Sequence, residues 1–277
     1  MYLVSPKRVF KGYKAWEKAL PEISKLTKSP LVLGRSRSTN FLRQKILQDL
    51  KFYNSNALNE TLYFDCCEED LNRLYKISCK NQCDAIIAAG GGKVLDAGKI
   101  LAHQLSIPCI TVPLSASTCA GWTALGNIYS QKGQFIKDIN LYSCPDILVF
   151  DYSFIKTAPT NTLTSGIADS LAKWYESSIT SSSNRDGLVQ QAIQISRVLR
   201  DQLFINSEEA LADYSVENIA WRNVIEGNGL TAGLIGGIGG AKCRTAAAHA
   251  IHNAITQLQP KKKPLHGEIV GVGILIQ

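Results

Sequence analysis

Residues 84–105, DAIIAAGGGKVLDAGKILAHQL, begin with a short apolar run, pass through three glycines and continue with the spacing of a helix. This order predicts a buried strand that leads directly into a helix. Glycines at such a turn let the backbone approach a phosphate, and the first N–H groups of the helix attract its charge. Gly91, Gly92, Lys93 and Asp96 are therefore candidate residues for binding the pyrophosphate of a cofactor. Because the spacing matches neither GxxxxGK[ST] nor GxGxxG, a tight turn that binds nothing is the alternative.

The same alternation extends over the first half of the chain. Short apolar runs predict strands at residues 30–34, 61–64, 84–89, 107–112 and 147–150. Helical spacing of apolar residues lies between them, at residues 12–28, 38–51, 68–81 and 94–105. Strands that alternate with helices indicate an α/β fold with a Rossmann-like parallel sheet, in which ligands bind beyond the carboxyl ends of the strands.

Helical spacing replaces this alternation from about residue 157 onward. The predicted helices lie at residues 162–180, 187–206, 208–227 and 244–258. Pro159 interrupts the chain where the pattern changes. We therefore predict an α/β domain at residues 1–157, which contains the candidate nucleotide-binding turn, and an all-α domain at residues 158–277.

The composition argues against several classes of protein. The 277 residues carry a formal charge of +7, but the basic residues are dispersed and the one run lies at residues 261–263, so no nucleic-acid partner is expected. No segment stays apolar over the ~20 residues of a membrane span, and residues 1–18 lack the apolar centre of a secretory signal. The eight cysteines have no framework spacing, which favours reduced thiols. We expect a cytoplasmic protein without a membrane partner.

Three of the four histidines, His249, His252 and His266, lie within residues 246–267. Imidazole is the commonest metal ligand in proteins, so this clustering suggests a metal site. Asp169 lies among small residues on a mostly apolar predicted helix, where a buried carboxylate needs a partner. Asp169, His249 and His266 would form a three-ligand site with one open position, as in a catalytic zinc site. A helix with two incidental histidines is the alternative.

Four motifs, in the same order along the chain, carry a resemblance to a known family. They are GGGK-x2-D at residues 90–96, VPLSASTCAG at 112–121, GIADSLAKWYE at 166–176, and AAAHAIHNAIT followed by LHGE at 246–268. The chain resembles the glycerol dehydrogenase branch of the metal-dependent (group III, iron-type) alcohol dehydrogenases, which share a dehydroquinate synthase-like architecture. The resemblance implies that metal and nicotinamide meet in a cleft between the two domains. It implies the metal ligands Asp169, His249 and His266, and the dinucleotide contacts Gly92, Lys93, Ser117, Thr123, Leu125 and Tyr129.

Three positions depart from the family pattern. Lys173 stands where iron-dependent members carry a histidine, which favours zinc, with iron or manganese as alternatives. Cys119 stands where glycerol dehydrogenases carry an aspartate that contacts the polyol, so this substrate loop resembles that of the hydroxycarboxylate dehydrogenases. Arg35, with Arg37 close by, stands where members carry an aspartate near the adenine ribose. Arginine would accept a 2′-phosphate, so NADP should bind at least as well as NAD.

These features predict a metal-dependent NAD(P) oxidoreductase that transfers a hydride between the cofactor and a small alcohol or carbonyl compound. A 2-hydroxy or 2-oxo acid is the leading substrate, contacted by Cys119, and a polyol such as glycerol is the second. His252 is the candidate catalytic residue, which would orient a metal ligand or relay the alcohol proton. A buried histidine bonded to a helix carbonyl is the alternative for His252. We expect a homo-oligomer.

Two other readings of the function stay open at this point. A non-catalytic nucleotide- and metal-binding homologue would have kept the fold without the polyol-binding aspartate. Chemistry like that of dehydroquinate synthase or glycerol-1-phosphate dehydrogenase shares the architecture but fits the motifs less well. Family members continue with further helices after the position of Gln277, so we expect the chain to be C-terminally incomplete relative to the family.

Overall fold

The computed structural model describes residues 3–215, 217–243, 246–258 and 264–277. These residues form two compact units. The sheet unit comprises Pro6–Leu114 and Ala124–Thr157, and the helical unit comprises residues 3–5, Ser115–Thr123 and the described part of Ala158–Gln277. The predicted assignment of nucleotide binding to residues 1–157 and of metal binding to residues 158–277 stays a prediction.

The sheet unit is built on six parallel strands. In chain order they are β1 (Arg8–Gly12), β2 (Pro30–Gly34), β3 (Leu58–Thr61), β4 (Ala85–Gly90), β5 (Cys109–Pro113) and β8 (Ile147–Asp151). Their order in the sheet is β1-β8-β5-β4-β2-β3. Every residue of β2, β4, β5 and β8 is buried, as expected for parallel strands covered on both faces. The predicted parallel α/β fold is confirmed.

Helices cover this sheet, and a separate pair of strands completes the unit. The helices are α1 (Ala15–Leu26), α2 (Asn40–Phe52), α3 (Glu68–Lys80), α4 (Gly92–Leu105) and α5 (Tyr152–Ile155). The antiparallel pair is β6 (Leu125–Tyr129) and β7 (Phe135–Asn140). Within the core, the fully buried Trp16 donates its indole N–H to Asp49 Oδ2 at 2.9 Å, so burial of its ring leaves that donor satisfied.

The strand order contains a switch point between β2 and β4. The chain leaves β2 for its outer neighbour β3, and it leaves β4 for β5 on the opposite side. The loops that follow these two strands run in opposite directions, so a crevice forms between them at the carboxyl ends of the strands. Ligands of open α/β sheets bind in such a crevice. The strands on either side of this crevice end at Gly34 and Gly90.

Three predictions for the sheet unit were wrong or incomplete. The strand predicted at residues 61–64 is instead β3, because Tyr63 N and Phe64 N donate to Asp70 Oδ2 at 2.5 and 3.2 Å and leave the sheet ladder. The helix predicted at 12–28 is shorter, and the edge strand β1 precedes it. The pair β6–β7 was not predicted, because its strands are only partly buried and carry no continuous apolar run.

The helical unit is built from six α-helices and two short helical segments of other types. The α-helices are α6 (Thr160–Thr180), α7 (Gly187–Ala212), α8 (Ile219–Glu226), α9 (Ala232–Gly239), α10 (Ala247–Gln257) and α11 (His266–Ile276). Gly227–Thr231 is a π-helix that joins α8 to α9, and Gly240–Cys243 is a 3-10 helix. No strand forms among the residues described in this unit, which confirms the predicted helical part.

The predicted division into helices at 187–206 and 208–227 was wrong. Helix α7 continues to Ala212, and the break follows it. There Asn218 caps α8, because its Oδ1 accepts from Ala220 N at 2.8 Å and from Trp221 N at 3.3 Å. In the helix predicted at 244–258, residues 244 and 245 lie outside the described residues, as does the basic run at 261–263. Among the helices that the structure describes, none has the length and apolarity to cross a bilayer.

Candidate active site

Asp169, His249 and His266 come together in the helical unit from three different helices. Asp169 lies in the middle of α6, His249 in α10, and His266 is the first residue of α11. His249 Nε2 lies 3.5 Å and His266 Nε2 3.3 Å from the same oxygen, Asp169 Oδ1. Among the described residues this is the one group of three His, Cys, Asp or Glu side chains whose donor atoms lie within 4.8 Å of one another.

The chemistry of this group fits a divalent cation. Asp169 Oδ1 is buried and lacks a hydrogen bond of acceptable geometry among the described residues. Burying an unpaired carboxylate oxygen destabilises the fold unless a cation binds it. Burial raises the pKa of Asp169, but the charge of Lys173 and the two imidazoles outweigh it and hold the pKa well below its ordinary value. The carboxylate is therefore ionised. Two imidazoles and one carboxylate are a typical donor set for catalytic zinc.

Close contact between α6 and α11 sets the position of His266. A Cβ atom at Gly267 would lie 1.8 Å from the carbonyl oxygen of Ser165, so only glycine permits this approach. Gly267 N also donates to Ser165 Oγ at 3.0 Å. Ser165 precedes Asp169 by about one helical turn, so the contact brings the start of α11 beside the carboxylate.

Glu176, which the sequence analysis did not select, contacts the ligand candidate His249. Glu176 Oε2 lies 2.5 Å from His249 Nδ1, and its side chain is 1% exposed. Burial raises the pKa of Glu176, but its hydrogen bonds with His249 outweigh this and lower it. A signal was present in the sequence, because residues seven apart share a helix face and Glu176 lies seven positions after Asp169.

His252 lies beside the other imidazole. His252 Nε2 is 3.0 Å from His266 Nδ1, and His252 Nδ1 is 3.0 Å from Asn253 Oδ1. Burial, followed by the neighbouring His266, lowers the pKa of His252 to about 4, so its ring is neutral. In the neutral ring of His252, Nδ1 carries the proton and donates to Asn253 Oδ1. Nε2 of the same ring then accepts from the Nδ1–H of His266. That arrangement would leave His266 Nε2, which faces Asp169 Oδ1, available to bind a cation.

In the sheet unit, two basic residues predicted to bind the dinucleotide share one carboxylate. Arg35 follows β2, Lys93 lies in the first turn of α4, and both contact Asp65 Oδ1, at 3.1 and 2.6 Å. Asp65 is 4% exposed, whereas the Arg35 and Lys93 side chains are 39% and 43% exposed. This cluster lies at the switch point of the sheet, and Asp65 is a second residue that the sequence analysis did not select. Its partners come from distant parts of the chain, so no local pattern marks it.

The other residues predicted for the dinucleotide in this unit have varied surroundings. Gly91 is the N-terminal cap of α4, Gly92 is its first residue, and Gly91 O accepts from Val94 N and Leu95 N. Asp96 is buried, pairs with Lys99 Nζ at 3.0 Å and accepts from Asn127 N at 3.2 Å. Leu125 begins β6, and its carbonyl accepts from Lys99. The ring of Tyr129 lies 5.9 Å from Lys93 Nζ. Their contacts with a dinucleotide stay predictions.

Ser117, Cys119 and Thr123 lie in Ser115–Thr123, the loop that groups with the helical unit. The π-helix anchors this loop, because Asn228 Nδ2 donates to Ala116 O at 3.1 Å. Helix α6 contacts the same carbonyl, since a Cβ atom at Gly166 would lie 2.0 Å from Ala116 O. Ser117 Oγ lies 3.1 Å from Ser115 Oγ, and Cys119 O accepts from Trp122 N at 2.9 Å. Cys119 does not belong to the candidate metal group, and its predicted contact with substrate stays a prediction.

Comparison with known proteins shows the family to which the chain belongs. The family model described as iron-containing alcohol dehydrogenase matches residues 6–152. An uncharacterized oxidoreductase from Synechocystis sp. is 46% identical over 95% of this chain and 68% of its own length. Hydroxycarboxylate dehydrogenase A of Escherichia coli is 35% identical over 76% of this chain and 59% of its own length. The crystal structure of glycerol dehydrogenase from Schizosaccharomyces pombe has a TM-score of 0.86 and 29% identity, and covers 99% of this chain and 71% of that one.

The chain belongs to the iron-containing alcohol dehydrogenase family. The predicted resemblance and architecture are therefore confirmed, as is the predicted class of enzyme, a metal-dependent oxidoreductase of the alcohol dehydrogenase type. Membership implies a small-molecule substrate, a nicotinamide dinucleotide and a divalent metal ion, for which Asp169, His249 and His266 provide suitable donors.

Proposed function

We propose that this chain is a metal-dependent NAD(P) oxidoreductase that interconverts a small hydroxyl compound and its carbonyl, with a 2-hydroxy acid and its 2-oxo acid as the leading pair. The observation that carries the proposal is the convergence of two imidazole Nε2 atoms on the buried oxygen of Asp169. When bound, the metal ion supplies a Lewis acid for the substrate oxygen, and the nicotinamide donates or accepts the hydride. Zinc is the leading metal, with iron and manganese as alternatives.

The protein residues hold the reacting groups in place. Asp169, His249 and His266 would hold the metal ion, and His252 would orient His266 through the hydrogen bond between their rings. Because Asn253 and His266 engage both nitrogens of His252, an orienting role has more support than a relay of the alcohol proton. Replacement His252→Phe tests this role: unchanged turnover and an unchanged pH profile would remove His252 from the mechanism.

The charge of the site and the identity of residue 119 support an anionic substrate. Asp169 and Glu176 are negative and Lys173 is positive, so a bound divalent cation leaves the site with a net positive charge. An aspartate in place of Cys119 would cancel this net positive charge, whereas a neutral cysteine leaves it unchanged. The similarity to hydroxycarboxylate dehydrogenase A supports the same substrate class, and the similarity to glycerol dehydrogenases keeps glycerol second.

The dinucleotide is proposed to bind at the Arg35–Asp65–Lys93 cluster and the start of α4, with NADP at least as good as NAD. Gly91 and Gly92 leave the first N–H groups of α4 accessible to a phosphate. The exposed Arg35 offers a guanidinium to a 2′-phosphate, although Asp65 offsets part of its charge. A cytoplasmic location, supported by the eight free thiols, and a homo-oligomeric state without nucleic-acid or membrane partners also belong to the proposal.

A cofactor-by-substrate screen on the zinc-loaded full chain tests the proposal. We expect reduction of 2-oxobutanoate with NADPH or NADH to exceed oxidation of glycerol or 1,2-propanediol. Replacement Cys119→Asp should shift the preference toward glycerol, and Cys79→Asp, on the exposed surface of α3, is the matched control. Robust glycerol oxidation by the unaltered chain would overturn the substrate assignment. A folded protein that binds no divalent metal by mass spectrometry would favour the non-catalytic homologue.

A further inference from the structure

We propose that Glu176 is a positioning residue that fixes the tautomer and the orientation of His249 for metal binding. The inference rests on the proposed metal site at Asp169, His249 and His266. It concerns a carboxylate outside that group, on the far side of the His249 ring from the ligand atom. Glu176 Oε2 contacts Nδ1, whereas Nε2 faces Asp169.

The two oxygens of Glu176 have separate partners. Oε2 lies 2.5 Å from His249 Nδ1. Oε1 accepts from Ala246 N at 2.6 Å and from His249 N at 3.0 Å. Ala246 is the N-terminal cap of α10 and offers no capping side chain, so the Glu176 carboxylate satisfies backbone donors that the helix start would otherwise leave unpaired. One buried side chain therefore anchors both the start of α10 and the imidazole that the helix carries.

The contact with Nδ1 determines which nitrogen of His249 can bind a metal. An ionised carboxylate only accepts hydrogen bonds, so its partner Nδ1 must carry the proton. In neutral imidazole the other nitrogen, Nε2, then has a free lone pair. That lone pair lies on the side of Asp169 Oδ1, 3.5 Å away. Glu176 thus holds His249 in the one tautomer that can coordinate at this position, and its negative charge increases the basicity of the ring.

The two ligand imidazoles differ in what orients them. His266 Nδ1 faces the imidazole of His252 at 3.0 Å, whereas His249 Nδ1 faces a carboxylate at 2.5 Å. A charge-assisted hydrogen bond is roughly twice as strong as a neutral one. His249 should therefore be the more firmly oriented and the more basic of the two ligands, and loss of Glu176 should weaken metal binding.

The test measures zinc affinity by chelator competition on the full chain, for Glu176→Gln and for the matched control Glu208→Gln on the exposed surface of α7. Glutamine keeps the shape and an oxygen for the backbone donors of α10, but its amide lacks the charge and can donate to Nδ1, which selects the wrong tautomer. We expect Glu176→Gln to bind zinc about 10- to 100-fold more weakly, in line with other residues that support metal ligands. Glu208→Gln should bind as the unaltered chain does, and Glu176→Asp, which keeps the charge, should recover part of the loss.

A double-mutant cycle separates positioning from a purely structural role. If Glu176 acts through His249, Glu176→Gln should change zinc affinity little once His249→Ala is present. A further loss as large in the His249→Ala background as in the unaltered chain would overturn the inference, and so would equal zinc affinity of Glu176→Gln and the unaltered chain. Failure of the unaltered chain to bind zinc would instead overturn the proposed metal site, so the two failures are distinguishable. The unfolding midpoint of each metal-free variant shows whether the helices remain folded.

Discussion

At Asp65 a single carboxylate oxygen contacts two cations, Arg35 and Lys93, at the carboxyl edge of the sheet. Replacement Asp65→Asn keeps the shape of the side chain and removes its charge. Two cations then face the position proposed for the dinucleotide, and the extra phosphate of NADP gains most from them. We expect the affinity for NADP to rise about three- to tenfold relative to NAD, since partly exposed ion pairs contribute roughly 1 kcal/mol. Titration calorimetry with both cofactors measures the ratio.

The exposed Asp201 pairs with Arg200 on α7 and is the control for this change. Asp201→Asn lowers the negative charge of the protein by the same amount, so a general charge effect would appear in both variants. An unchanged ratio of NADP to NAD affinity in Asp65→Asn would show that Arg35 does not contact the 2′-phosphate.

The residues that sequence reasoning missed, Asp65 and Glu176, share one property. Each contacts partners that lie far away in the chain, so the contacts of Asp65 and Glu176 could not be predicted from neighbouring residues. Asp65 is a single acidic residue in a loop, and its role depends on Arg35 and Lys93, which only the sheet brings together. By contrast, Asp169, His249 and His266 could be assembled from a family resemblance and from the rarity of histidine, and the structure brings these three together.

Among the helices and strands, the contact between α6 and α11 depends on a glycine, Gly267, which has no side chain. A Cβ atom at Gly267 would lie 1.8 Å from Ser165 O, so Gly267→Ala must push α11 away from α6. Because His266 is the neighbouring residue, the shift should also move a metal ligand. We expect Gly267→Ala to lower the free energy of unfolding by about 2 kcal/mol or more and to weaken zinc binding at least tenfold, as overpacking and loss of ligand geometry imply. Chemical denaturation and chelator competition measure the two effects.

Gly271 provides the matched control on the same helix. Its added Cβ would lie 3.2 Å from the Cβ of Ala168, a contact that a small shift relieves. Gly271→Ala should therefore change stability and zinc affinity much less than Gly267→Ala does. Similar losses in both variants would mean that α11 tolerates no added methyl group at all, and that Gly267 has no special role.

Asp84 joins the start of β4 to the turn between α1 and β2. It accepts from the Thr27 hydroxyl, from Lys28 N at 2.8 Å and from Ser29 N at 3.0 Å. Burial raises the pKa of Asp84, but these hydrogen bonds outweigh it and lower the pKa below its ordinary value of 3.8. Because the pKa is lower in the folded state, the stabilisation is fully present above pH 3.8 and is lost as the pH falls through the folded value.

We therefore expect Asp84→Asn to lower the free energy of unfolding by about 1–2 kcal/mol at pH 7, since Asp84 is partly exposed and solvent weakens its charge. The difference from the unaltered chain should shrink when both proteins are unfolded by urea at successively lower pH below 3.8. The exposed Asp138 of β7 is the control, and Asp138→Asn should change stability little at either pH. A difference for Asp84→Asn that is as large in acid as at pH 7 would contradict the assigned pKa shift.

The sequence predicted buried helices and strands better than exposed ones. Strands β2, β4, β5 and β8 are buried along their whole length, so each carries an apolar run that can be recognised locally. Strand β1 contains only exposed and partly buried residues, and it joins the sheet by pairing with β8, about 140 residues away in sequence. Asp70 ends β3 by a local contact, because its carboxylate accepts from the N–H groups of Tyr63 and Phe64. A hydrophobic pattern does not reveal such a polar contact.

At the scale of the whole molecule, the two candidate binding sites belong to separate compact units. All three proposed metal ligands lie in the helical unit, and the Arg35–Asp65–Lys93 cluster lies in the sheet unit. Each ligand should therefore stabilise its own unit directly. Zinc should slow hydrogen exchange in α6, α10 and the start of α11, while NADP or NAD should slow exchange in the loops that follow β2, β3 and β4.

The size of the protection follows from binding linkage. At a free zinc concentration of 100 times Kd, zinc raises the free energy of any opening that requires release of the metal by about 2.7 kcal/mol. The open state is then populated roughly 100-fold less. Exchange measured by mass spectrometry should show this slowing in the metal-binding helices, and an equal concentration of Mg²⁺ should not produce it, because Mg²⁺ prefers oxygen ligands and octahedral geometry. Zinc protection confined to the sheet unit would place the metal elsewhere. The dinucleotide is added in a separate experiment. The hydrogen exchange that it slows therefore tests the Arg35–Asp65–Lys93 cluster independently of the proposed metal site.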